Sequence, residues 1–183
     1  MKIVNYPHPA LRQVAAPLTS ISKEIHLQVG QMFELMYEND GLGLAAPQVN
    51  SLTRLLVMNF SGDAKNKDHE FVAINPVIIE QKGSIEGKEG CLSFPGLFSK
   101  VRRARSVKVQ AYNMKGELYE MTATDLAARV WQHEIDHLDG ILFIDKLGML
   151  GRINCKKSIQ QFVHEFNNAR KSGEIAAELE PIF

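Results

Sequence analysis

Two histidines and a glutamate fall at positions 133, 137 and 134, in the run Gln132-His133-Glu134-Ile135-Asp136-His137. The run lies in a helix-compatible segment. On a helix, residues four apart share one face, so His133 and His137 can hold a single metal ion. Glu134 then stands beside that ion as a carrier of protons. Thr124 is placed to cap the helix and Asp139-Gly140 to close it, with its body over Asp125 to about Leu138. A capped helix with an apolar floor is a rigid platform for ligands. The bare pattern also arises by chance, and a lone helical histidine is more often structural, so a third ligand has to be found.

Three sources of that ligand can be compared. A metzincin would continue with glycine and then histidine. Gly140 fits, but the ligand position holds Phe143. A downstream glutamate from another helix would be Glu165, which also reads as a solvated residue. Cys91 is the better candidate. Its ordinary reading is a small buried hydrophobe. Against this, it sits in Glu89-Gly90-Cys91-Leu92-Ser93, where Gly90 permits close backbone approach. Cys155, near Lys156-Lys157, has no such setting and reads as structural.

The rest of the chain carries local signals. Pro7, Pro9 and Pro17 make residues 1–19 extended and irregular. Ile25, Val29, Met32, Phe33 and Met36 form one apolar stripe, which predicts a helix from about Ser22, as N-cap, to Asn39. An apolar loop with two glycines follows. Segments 55–60 and 71–80 read as strands, with Pro76 marking an edge or bulge. Segments 107–113 and 117–122 read as a hairpin around Met114-Lys115-Gly116. Residues 141–144 read as one more strand. A last helix is expected over about 153–170, with Ile159, Phe162, Val163 and Phe166 inward, and residues 174–183 as a loose tail. Strands grouped in local runs favour α+β with antiparallel sheets.

Length and composition narrow the class. A chain of 183 residues, 45% apolar and 23% charged, suits one globular domain spanning 1–183. Lys+Arg and Asp+Glu both total 21, so no global field draws nucleic acid or an anionic membrane. No leader peptide is recognisable after Met1, and no apolar stretch approaches the roughly 20 residues of a membrane span. Two cysteines allow at most one disulfide. The default compartment is the cytoplasm.

Three segments together resemble a known family. Gly41-Leu42-Gly43-Leu44-Ala45-Ala46-Pro47-Gln48, Glu89-Gly90-Cys91-Leu92-Ser93 and Gln132-His133-Glu134-Ile135-Asp136-His137 are similar, in order and separation, to the signature motifs of peptide deformylase. The resemblance spans roughly residues 1–150 and is more specific than the helical motif alone. It implies an α+β fold of antiparallel sheets around a central metal-binding helix, with a C-terminal helix. It also implies removal of the formyl group from N-formylmethionyl nascent peptides, releasing formate.

The resemblance assigns roles as well. Cys91, His133 and His137 hold one divalent metal, with water in the fourth position. The ion is Fe2+ in the family's native form, with Zn2+, Ni2+ or Co2+ as replacements, and a thiolate beside Fe2+ makes the site oxygen-sensitive. Glu134 takes the water's proton and returns it to the leaving amine. Gln48 and the Leu92 N–H stabilise the oxyanion. Gly43 lies at the edge that holds the extended peptide. Leu42, Leu44, Leu126 and Val130 are candidates to line the methionine pocket. Arg103 is expected to contact Glu89 or Asp136 as a brace behind the ligands, or else to be an exposed charge. Lys156, Lys157, Arg170 and Lys171 could serve a transient ribosome contact, although a solvated helix face explains them as well. The competing readings are a small metallo-endopeptidase using Glu165 and a non-catalytic metal- or peptide-binding domain.

Overall fold

The computed structural model describes residues 1–183. Seven strands and three α-helices follow in the order α1 (Lys23–Glu38), β1 (Gly43–Ala45), β2 (Leu55–Asn59), β3 (Glu70–Lys82), β4 (Ile85–Cys91), β5 (Phe94–Arg103), β6 (Ser106–Tyr112), β7 (Leu118–Thr124), α2 (Asp125–Leu138) and α3 (Met149–Ser172). Strands β1-β2-β3-β6-β7 form one antiparallel sheet, and β4-β5 form a separate two-stranded ribbon. The architecture is α+β, as the clustering of strands predicts, and it ends in a C-terminal helix. None of the helices is long and apolar enough to cross a membrane.

Three apolar clusters organise these layers. Ala128, Val130, Trp131, Ile135 and Leu138 of α2 pack on Leu56, Met58, Val107, Val109, Ala111 and Ala123 of the large sheet. The stripe predicted on α1, from Ile25 to Met36, meets Leu55, Val57 and Ile74 on the same sheet's other side. The ribbon's Phe94, Leu97 and Val101 pack with Leu142, Phe143 and α3, which offers Cys155, Ile159, Phe162 and Val163. Helix α2 therefore stands between the sheet and the ribbon, with ten of its fourteen residues buried.

Several local expectations match. The register shift between Ile74 and Val77 places a bulge at Pro76. Asn75 sits there at φ 51°, and its side chain pairs both backbone groups of Leu18. Gly116, at φ +76°, turns the β6–β7 hairpin.

Other expectations need correction. Residues 141–144 are not a strand. Asp145 accepts the Leu142 N–H at 2.8 Å and closes a 3-10 turn over Phe143–Lys146. Helix α3 begins four residues earlier than its apolar pattern suggests. Neither Ser22 nor Thr124 caps its helix with a side-chain hydrogen bond. The segment 174–183 has no regular structure, but the Ile182 N–H reaches Pro7 O and Arg170 pairs with Glu180.

Candidate metal centre

Helix α2 presents three different faces. Trp131, Ile135 and Leu138 fill the sheet side. Arg129, Gln132, His133 and Asp136, spaced i, i+3, i+4 and i+7, face the β4–β5 ribbon. Between these faces, His133 and His137 stand one turn apart with ring centroids 4.9 Å apart. His133 Nδ1 lies 3.1 Å from Glu89 Oε2. A carboxylate accepts only, so Nδ1 carries the proton and Nε2 keeps its lone pair free.

The ribbon delivers Cys91 at the end of β4. Its Sγ lies 3.3 Å from His137 Nε2, and the ligand atoms of Cys91, His133 and His137 all lie within 4.8 Å of one another. Tetrahedral coordination at usual bond lengths places ligand atoms about 3.3–3.6 Å apart. The Cys91–His137 spacing matches this, and a donor set of one sulfur and two imidazole nitrogens suits a soft or borderline divalent ion.

Glu134 supplies an independent sign. It is buried, and its Oε2 has no hydrogen-bond partner. Burial pushes its pKa up to about 7. A buried carboxylate without a partner is costly unless something occupies the space it faces. Strand β1 runs against this side chain. A β-carbon at Gly43 would lie 2.6 Å from Glu134 Oε1, so only glycine lets both occupy their places.

Gln48 enters from the 3-10 turn after β1. Its Oε1 accepts the Ala45 N–H at 2.9 Å, which orients the amide. Its NH2 then points to Cys91 Sγ at 3.5 Å and Ser93 Oγ at 3.4 Å. The Leu92 N–H, in the turn between β4 and β5, makes no backbone hydrogen bond. Two donors thus stand beside Cys91, one of them uncommitted.

Behind the ligands lies a buried ionic cluster. Glu89 accepts two hydrogen bonds from Arg103 at 2.9 Å each, one from Arg129 at 2.6 Å, and the His133 contact. Arg103 also pairs with Asp136, which in turn meets Lys146. Burial alone would raise the Glu89 pKa, but the Arg103 and His133 hydrogen bonds outweigh it and hold it far below the usual carboxylate range. Arg103 thus touches both residues named for it and is not an exposed charge. Its removal leaves two carboxylates short of a partner. Arg103→Ala is expected to lower stability by about 3–5 kcal/mol in urea unfolding. A loss below about 1 kcal/mol would contradict this picture of the cluster.

The ligands open into a cleft of about 560 Å³. Leu42, Gly43, Leu92, Leu126 and Val130 line it, as do Gln48, Glu89 and Cys91. Leu44 does not. Its side chain is wholly buried on the α1 side of the sheet, because neighbouring strand residues point to opposite faces. Glu165 is exposed on α3, accepts from Gln161, and is absent from the cysteine–histidine cluster. The endopeptidase reading thereby loses its third ligand. Arg129 and Gln132 carry more of the site than the sequence suggested. The Gln132 amide pairs both backbone groups of Ala104, and helical spacing from His133 was the only available signal.

Comparison with known proteins gives a consistent result. Residues 1–152 match the family model described as polypeptide deformylase. A peptide deformylase of Acidobacterium capsulatum is 48% identical over 150 residues, covering 82% of this chain and 88% of the relative. One from Rhodopirellula baltica is 36% identical over 178 residues, covering 97% and 88%. A crystal structure of peptide deformylase from Plasmodium falciparum superposes with a TM-score of 0.88 at 36% identity, covering 91% of this chain and 98% of that one.

Proposed function

The chain belongs to the polypeptide deformylase family, and on that premise we propose that it hydrolyses the formyl amide of N-formylmethionyl peptides at the Cys91–His133–His137 centre. The observation that carries this reading is the convergence of those three ligand atoms beside an unpartnered carboxylate oxygen of Glu134. A divalent metal held there supplies Lewis acidity and lowers the pKa of a water in its open position. We assign the ion as Fe2+, with Zn2+, Ni2+ or Co2+ as workable replacements. One thiolate and two imidazoles suit all of these, so the choice of iron rests on the family.

The chain's own residues then divide the work. Glu134 takes a proton from the attacking water as oxygen adds to the formyl carbon. Gln48 Nε2 and the Leu92 N–H donate to the formyl oxygen as it gains negative charge. The carbon–nitrogen bond breaks, Glu134 returns the proton to the peptide nitrogen, and formate leaves. Formyl amide plus water thus gives the free amine plus formic acid, which ionises to formate. Leu42, Leu126 and Val130 offer the apolar wall for the methionine side chain, and Gly43 the backbone edge for the peptide.

Residues 1–183 are read as one catalytic domain working in the cytoplasm on chains emerging from a ribosome, with any ribosome contact transient. Lys156 and Lys157 are exposed on α3 and available for it. No direct nucleic-acid recognition or membrane attachment belongs to this reading. Gln48→Ala tests the oxyanion assignment. Formate release from a formyl-Met peptide should lose about 10²–10³-fold in kcat with metal content unchanged. An unchanged kcat would remove Gln48 from the mechanism.

A further inference from the structure

We propose that Arg129 is a positioning residue, which sets the distance between Cys91 and the two histidines by locking the β4–β5 ribbon onto α2. The inference rests on the metal site proposed above and concerns what holds its two halves together. Cys91 and the histidines come from different layers. A two-stranded ribbon has little stability of its own, so the gap between sulfur and imidazole depends on how the ribbon is fastened.

Among the polar contacts between α2 and the ribbon, Arg129 makes the most extensive. Its Nη1 donates to Glu89 Oε1 at 2.6 Å and to Val101 O at 2.9 Å, and its Nη2 donates to Ile85 O at 3.1 Å. One planar guanidinium thus grips both strands of the ribbon and the carboxylate two residues before Cys91. It stands one turn before His133 on the same face of α2. Arg103, by contrast, belongs to β5 and pulls Glu89 along its own ribbon, although its Asp136 contact also reaches α2. Arg129 has no carboxylate partner other than Glu89.

A second observation supports the same role. Gly87 lies in β4 where a β-carbon would stand 2.8 Å from Arg129 Nη2 and 3.1 Å from Cζ. The ribbon has given up a side chain to let this guanidinium lie against its backbone. Arginine suits the task because its fixed fork reaches three acceptors in one plane, which a lysine head cannot do.

The test uses the full chain loaded with cobalt(II), read by the thiolate-to-cobalt absorption band and by metal affinity. Arg129→Met removes the fork while keeping an unbranched apolar stem. Gly87→Ala keeps the arginine but displaces its guanidinium from the strand. Each folded variant, checked by far-UV circular dichroism, should bind cobalt about 10–100-fold more weakly and show a shifted or weakened thiolate band. A lower melting temperature with wild-type affinity and an unchanged band would make Arg129 merely structural and overturn the proposal. Arg129→Met decides where it folds; where it does not, Gly87→Ala decides. Wild-type protein that takes up no cobalt would overturn the metal site itself, a result distinguishable from failure of the positioning role.

Discussion

Glu134→Ala should keep its metal and lose turnover by about 10²–10⁴-fold, the range for removal of a positioned acid–base group. Metal retention is expected because Glu134 is outside the cysteine–histidine cluster and lies beside it. Loss of turnover is expected because no other carboxylate is free to move the proton. Glu89 is held by two arginines and His133, and Asp136 by Arg103 and Lys146. The pKa of Glu134, pushed up to about 7 by burial, suits a group that must both take and return a proton. Glu134→Gln preserves shape against Gly43 and separates chemistry from packing. Metal analysis alongside single-turnover formate release is the measurement, and a wild-type rate in either variant would sink the role.

Cys91→Ala should have the opposite signature. Metal affinity is expected to fall by more than about 100-fold, beyond the 10–100-fold typical of residues that only support a ligand. Activity disappears with the metal, while the fold survives because Cys91 sits half-buried at the end of a strand. Equilibrium dialysis with zinc or cobalt gives the affinity. Retention of both metal and deformylation would return the search to another third ligand. Glu165 is a poor substitute, being exposed on α3 and engaged by Gln161.

The two effects divide along a line the sequence could partly draw. Periodicity is a sound guide where a helix or strand buries one continuous face. The α1 stripe and the inward residues of α3 follow that rule. It fails for the β4–β5 ribbon, where Gly87 and Gly90 interrupt alternation. Their missing side chains make room for Arg129 of α2 and for Phe98, the β5 residue paired with Gly90. It fails again at β1, whose three residues are all buried and show no alternation. Residues 141–144 look like a strand because Leu142 and Phe143 are apolar, yet their backbone is closed locally by Asp145.

The candidate site shows the same division. Spacing places His133 and His137 together, and the local glycine setting marks Cys91. Spacing does not reveal that Arg129 faces the ribbon, since a buried arginine needs its acceptors to be known first. Leu44 was misplaced for a related reason. Membership of a motif does not say which side of a strand a residue faces, and β1 sends Leu44 toward α1.

The most direct test of the account is anaerobic purification with metal analysis, followed by incubation with a formyl-Met peptide. About one divalent ion per chain is expected, with formate released in equal amount to new peptide amine and internal peptide bonds intact. Metal-loaded protein that releases no formate, or that cleaves an internal bond instead, would contradict it.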